Sequence, residues 1–372
     1  MQRIFFDHNS TTRIKTEVLT RMNELYQLSL NSSSVHYYGR MANKYVEEAR
    51  NSLQNLLNGS NYRVIFSSGG TEANNLAIFG RDYKKILFTA IEHDAVYNAR
   101  PQSSEIIVIK TNKDGVVDLE DVKEKLAAID DSNFLLSIMI ANNETGAIQP
   151  VKEIAKLVHQ KGGLIHSDII QGLGKIAIDL EDLNLDLASV SAHKIGAPQS
   201  LGALLVRKNL DIRPMIFGGG QENGSRSGTL NTAAIAGFGR ACDLAKKNLE
   251  QFLEIANLRD YLEESLLEIG GNNLKFLSSK TSRLPNTSYF ATRNIDKQTQ
   301  LIHFDLNGIM VSTGSACSSG SIKPSRVLEA MQIEKEFLNS AIRVSLGPKN
   351  TKSEIDQFIN CWSTLYKIKY DS

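Results

Sequence analysis

Cys317 sits in STGSACSSG, residues 312–320, where every neighbour is Ser, Thr, Gly or Ala. Such a stretch can bury almost nothing, so its composition predicts a mobile loop. A thiol on an accessible loop is placed to react rather than to pack. A second reactive group is Lys194, in SAHK at 191–194. Asn143, Asp168 and Lys194 each follow or close an apolar run, with 25 and then 26 residues between them (168−143 and 194−168). That spacing is about one strand–helix repeat. If the runs are neighbouring strands, a carboxylate and an amine share one rim, the rim where open parallel sheets bind ligands.

Two further features point to an anion and a flat ring. Ser67, Ser68, Gly69, Gly70 and Thr71 lie between an apolar run and a helical stretch beginning near Glu72. Glycines there let backbone amides approach a phosphate, and the helix N-terminus adds its positive dipole end. His93, in IEHDAV, follows another strand and can lie against a planar ligand. A lysine, an acid and a phosphate cup are what pyridoxal phosphate requires of a protein. Asp168 would face the pyridine nitrogen and Lys194 would form the Schiff base. For that, the lysine pKa must fall well below its ordinary value of about 10.4. Desolvation and nearby positive charge act in that direction.

The elements that position these groups read as α/β. RVIFSS (63–68), KILFTA (85–90), EIIVIK (105–110), NFLLSIMIA (133–141), GLIHSD (163–168) and DLASVSA (186–192) are strands. They alternate with amphipathic stretches, the pattern of a parallel sheet covered by helices. In VKEIAKLVHQKG, Val151, Ile154, Ala155 and Val158 form one apolar stripe. A long helical region is expected from about Asn231 to Ile269. Beyond it the strands NLKFL, TSYFA and AIRVSLG, with helices near 322–332 and 353–366, suggest a smaller α+β domain. The expected division is a large domain at 14–250 and a small one made of 1–13 and 251–372.

Composition excludes several classes. Forty-two basic and 41 acidic residues leave a charge of +1, which argues against a nucleic-acid surface. No apolar run approaches a membrane span, and MQRIFFDHNS lacks the apolar core of a secretory signal. Cys242, Cys317 and Cys361 are too few for a disulfide framework or a four-cysteine zinc site. The cytoplasm is the expected compartment.

SSGGTEANN (67–75), IEHDAV (91–96), ANNETGAIQP (141–150), HSDIIQGLGK (166–175), SAHK, GGGQENGSRSGTLN (218–231) and STGSACSSG together resemble a cysteine desulfurase. These are fold-type I pyridoxal phosphate enzymes of the class V aminotransferase group. The Ser-rich cysteine segment resembles the branch that supplies sulfur for iron–sulfur clusters and tRNA thiolation. The resemblance implies that Lys194 carries the cofactor, Asp168 pairs with its ring nitrogen, Gln171 bonds its phenolic oxygen and His93 stacks on the ring. It implies that Gly70, Thr71, Ser191 and His193 hold the phosphate, with Thr229 reaching the phosphate of a second subunit in a homodimer. Arg343 and Asn143 would grip the carboxylate of L-cysteine. For Arg343 the local pattern agrees, since Ile342, Val344 and Leu346 face the opposite side of the strand. Cys317, as thiolate, would take the substrate sulfur as a persulfide and pass it to an acceptor protein. An unperturbed thiol is only about 3% thiolate at pH 7, so the site must raise that fraction.

The chain departs from the family pattern at His8 and Ser10, with little consequence expected, and at Ser32, where proline is preferred. Gln199 and Ser200 stand where Lys-Gly is usual, and a serine resists positive φ, so that loop is expected to be reshaped. Only residues 344–372 follow Arg343, fewer than the scaffold-docking tail of housekeeping members, which leaves the acceptor open. A selenocysteine or cystine lyase using the same lysine is the alternative enzyme. A non-catalytic partner-binding relative, which would hold no cofactor, is the alternative from another class.

Overall fold

A computed structural model describes residues 3–314 and 325–370. Cys317 and residues 315–320 of the loop expected around it lie outside the described residues. Among the described residues the largest sheet has seven strands. They are β1 (Tyr62–Ser67), β2 (Lys85–Thr89), β3 (Glu105–Ile109), β4 (Phe134–Ser137), β5 (Leu164–Asp168), β6 (Leu187–Ser191) and β7 (Gly202–Arg207). Their spatial order is β1-β7-β6-β5-β4-β2-β3, and every pairing is parallel except those made by β7. Strands β4, β5 and β6 are therefore adjacent, and their carboxyl ends lie side by side. Each is buried on both faces, except Leu164 at the start of β5. That explains their near-continuous apolar character.

Helices cover the sheet. The first two, α1 (Thr16–Tyr26) and α2 (Tyr37–Leu56), precede the region where the strand pattern begins and were not expected from the sequence. His36 caps α2 by accepting from the Gly39 amide. Next come α3 (Gly70–Phe79) and α4 (Val151–Gln160), whose stripe Val151, Ile154, Ala155 and Val158 is wholly buried. The helical region after Asn231 is broken, into α5 (Thr232–Lys247), a short turn of helix at Leu249–Leu253, and α6 (Ile255–Gly270).

A second, antiparallel sheet has the order β10-β9-β8, from β8 (Leu274–Phe276), β9 (Thr287–Thr292) and β10 (Ala341–Ser345). Its own core joins Ile4 and Phe6 to Leu262, Phe290, Ile342, Val344, Phe358 and Trp362. The last two come from α7 (Lys352–Tyr370). The core around the large sheet extends to Leu277, Tyr289 and Val327, so the C-terminal region packs against both. Among the described residues no helix is long and apolar enough to cross a membrane.

Candidate active site

Asp168 is the last residue of β5 and is 5% exposed. Its Oδ2 accepts from Asn74 Nδ2 at 2.8 Å and its Oδ1 from the Ile170 amide at 3.0 Å. Both donors are neutral, so the carboxylate is oriented without being neutralised. Asn74 itself is fully buried on α3, and its Oδ1 has no protein partner among the described residues.

Lys194 lies one strand over, on the short turn Ala192–Ile195 that follows β6. Its Nζ donates to the carbonyls of Asn9 and Ser10, each at 2.6 Å. Burial, and then the positive charge of Arg343, lower its pKa to about 8. The N-terminal segment thus holds the amine through backbone carbonyls, which the identities of His8 and Ser10 do not alter. Gln171 reaches the same carbonyl, donating Nε2 to Asn9 O at 3.0 Å, while its Oε1 accepts from Lys175 at 2.8 Å.

Arg343 is 4% exposed on β10, its side chain opposite the face occupied by Ile342 and Val344. Its guanidinium donates to Asp7 Oδ1 at 2.6 Å and to Asn143 O at 2.8 Å, and its buried Nε has no partner among the described residues. The carbonyl of Asn143 thereby joins the end of β4 to the arginine. His93 is exposed and caps the short helix Asp94–Tyr97 by accepting from the Ala95 amide at its Nδ1, 3.0 Å away. That bond places the proton of the neutral ring on Nε2.

Beside this cluster a cavity of about 320 Å³ is lined by Ser68, Gly69, Gly70, Thr71, Glu72, Ser191, His193, Gln199 and Ser200. It opens at the N-terminus of α3, where the amides and the helix dipole favour an anion. A Cβ at Gly70 would stand 2.3 Å from Ile170 Cδ1, so a larger residue here would require the Ile170 side chain to move. Glu72, the one acidic residue of the lining, is held by Arg226 at 2.8 Å. His193 accepts or donates at Nδ1 to Thr11 at 3.0 Å, and burial followed by Lys194 lowers its pKa to about 4. Ser200 adopts the left-handed conformation itself, at φ 56°. Thr229 is exposed and does not line this cavity.

A buried carboxylate without a cation in contact, an amine held by carbonyls alone and an adjoining anion cavity suit pyridoxal phosphate. The profile of the Aminotransferase class-V family matches residues 4–358. The chain belongs to that family. Within it the similarity is to cysteine desulfurases. The cysteine desulfurase IscS of Clostridium botulinum is 37% identical, covering 98% of this chain and 95% of the relative. That of Dictyoglomus turgidum is 36% identical over 95% and 92%. A NifS-like protein from Rickettsia africae superposes with a TM-score of 0.92 at 39% identity, over 98% of this chain and all of that one. A structure described as SspA in complex with cysteine matches at 27% identity with a TM-score of 0.78, over 94% of this chain and all of that one.

In this member of the class V family, Lys194, Gln171, Asn143 and Arg343 meet around one N-terminal segment, and Asp168 lies close enough to Lys194 to act on its charge. Gly70, Thr71, Ser191 and His193 line the neighbouring cavity. Four participants had no assigned role from sequence: Asp7, Asn9, Asn74 and Lys175. Asn74 and Lys175 stand inside conspicuous motifs, which was the available signal. Of the other two cysteines, Cys242 is fully buried, which pushes its thiol up. Cys361 is partly buried and pushed up to about 11 by burial.

Proposed function

We propose that the protein is a pyridoxal phosphate-dependent cysteine desulfurase that converts L-cysteine to L-alanine and carries the sulfur as a persulfide on Cys317. The observation that most supports this is the pairing of Asp168 and Lys194 at the ends of neighbouring strands, in a chain of this family. Pyridoxal phosphate, when bound, supplies an electron sink that makes the substrate Cα proton removable. Lys194 Nζ is the group that would hold it, with Asp168 at its ring nitrogen, Gln171 at its phenolic oxygen and His93 over its face. Gly70, Thr71, Ser191 and His193 would bind its phosphate.

The chain's own groups then divide the work. Arg343 suits the substrate carboxylate, because a planar fork with an unused buried Nε–H matches two oxygens. Asn143, whose carbonyl already meets that fork, would bind beside it. Lys194, with a pKa near 8, is neutral often enough at cytoplasmic pH to accept the Cα proton at Nζ. Cys317, as thiolate, attacks the substrate sulfur. An S–S bond forms, the Cβ–S bond breaks with its electron pair left on carbon, and alanine is completed by one proton added at Cβ and by return of the Cα proton from Lys194 Nζ. His93 would assist proton transfer through Nε2–H, the nitrogen outside its cap bond.

A homodimer completes the reading, with Thr229 on the exposed surface reaching the phosphate site of a second copy. The cytoplasm is the proposed compartment, and a cluster scaffold or tRNA-thiolating enzyme the proposed acceptor. Intact-protein and peptide mass spectrometry after L-cysteine tests it. One added sulfur on the peptide containing Cys317, with alanine released, is the expected result. Alanine released with no protein-bound sulfur would instead indicate a lyase.

A further inference from the structure

Lys175 is a buried titratable group that the proposed chemistry leaves unused. It follows β5 in the same turn as Gln171 and is 2% exposed. Its Nζ donates to Gln171 Oε1 at 2.8 Å and to Asn9 Oδ1 at 2.7 Å. Among the described residues no carboxylate is in contact with it, and the charged or titratable groups facing it are Lys194, Arg343 and His8. Burial, and then those two cations, hold its pKa well below the usual lysine value. A lysine is a costly way to fill such a space, since a methionine of similar length needs no hydrogen bonds. What a methionine lacks is a donor.

The donor matters because a glutamine amide has two ends of nearly equal shape and opposite polarity. With Lys175 giving a proton to Oε1, Nε2 is turned to Asn9 O, the carbonyl that also holds Lys194 Nζ. Asn9 is itself locked: Asn286 donates to its Oδ1 at 3.1 Å and its Nδ2 donates to Thr287 at 2.9 Å. Its Oδ1 therefore demands a donor from Lys175, charged or neutral, and a neutral amine still has N–H bonds for both acceptors.

We propose that Lys175 is a positioning residue that fixes the amide of Gln171 with its N–H end toward the cofactor oxygen beside Lys194. This rests on the placement of Gln171 in the proposed function. A reversed amide would set two acceptors against each other, losing a hydrogen bond and adding repulsion.

The test is the pH titration of the visible absorption of the cofactor-loaded protein. A donor on the ring oxygen favours the deprotonated form, which carries more negative charge there, so losing the donor moves the midpoint to higher pH. Gln171→Leu is expected to raise the midpoint by about half a unit or more. Lys175→Met should reproduce most of that rise, and the double variant should add nothing to Gln171→Leu. Lys175→Gln, which keeps a donor but no charge, should stay near wild type. It also serves if Lys175→Met folds poorly. A wild-type midpoint in Lys175→Met beside a shifted Gln171→Leu, or shifts that sum in the double variant, would overturn the role of Lys175. An unshifted Gln171→Leu would overturn the placement of Gln171, and the inference with it.

Discussion

Asn74 donates its side-chain amide to Asp168 Oδ2 at 2.8 Å, joining α3 to the end of β5. The bond turns the carboxylate while adding no positive charge beside it. Asn74→Leu would leave one buried carboxylate oxygen without a donor, at a cost of about 1–3 kcal/mol. We expect the cofactor to leave the variant roughly tenfold faster or more, since 1.4 kcal/mol is a factor of ten. Loss of visible absorbance during dialysis measures it, and a rate equal to wild type would remove Asn74 from the site.

The lowered pKa of Lys194 predicts a pH profile for cofactor loading. Only the neutral amine is nucleophilic, so the initial rate of loading onto apoprotein should rise about tenfold per pH unit below the pKa. It should level off above about 8. Stopped-flow absorbance gives the profile; a rate still climbing at pH 10 would mean that the amine keeps its ordinary value. The linked effect on stability has a definite sign. Native Lys194 binds fewer protons than the unfolded chain between about 8 and its ordinary value of 10.5, so apoprotein stability contributed by this group rises with pH across that window. Lys194→Met should flatten that rise in denaturant melts.

Arg343→Lys separates charge from shape. Lysine keeps the positive charge near Asp7 but cannot offer a planar pair of N–H bonds to a carboxylate. The KM for L-cysteine should rise on the order of 10- to 100-fold, with a smaller change in kcat. Steady-state alanine formation measures both. An unchanged KM would assign the arginine to holding Asp7 and Asn143 alone.

Asp168, Lys194 and Asn143 were legible from sequence because each closes or follows a strand, and strand ends of a parallel sheet converge by topology. The alternation in AIRVSL likewise marked Arg343, since its neighbours fill the opposite core. Asn74 was not legible, because nothing local distinguishes it from Asn75. One turns inward to Asp168, the other to the carbonyls of Thr71 and Ala95. Lys175 and Asn9 are 166 positions apart, and their bond exists only once the N-terminus folds over the sheet. β7 was missed since its run GALLVR follows a loop and runs antiparallel, outside the strand–helix rhythm. Ser200 shows a limit of propensity. A left-handed serine costs only about 1–2 kcal/mol, small beside the burial of the strand that follows it.

The cysteines give the sharpest test of how sulfur leaves the substrate. Cys242 is enclosed in the main core, where its thiol has no route to a ligand and burial opposes the thiolate. Cys361 packs on α7 against the second core, away from β4–β6, and is pushed up to about 11. Neither is suited to attack, so Cys242→Ala and Cys361→Ala should each retain most sulfide release and all persulfide. Cys242→Ala also leaves a small void in the core, so it should melt somewhat lower without losing activity. Cys317→Ala should lose nearly all sulfur transfer while cofactor absorbance stays intact, because the groups that would hold the cofactor lie elsewhere. Sulfide assays with dithiothreitol, paired with peptide mass spectrometry, distinguish the three. Persulfide that vanished in Cys361→Ala but persisted in Cys317→Ala would move the nucleophile to the C-terminal helix, and with it the whole route of sulfur through this protein.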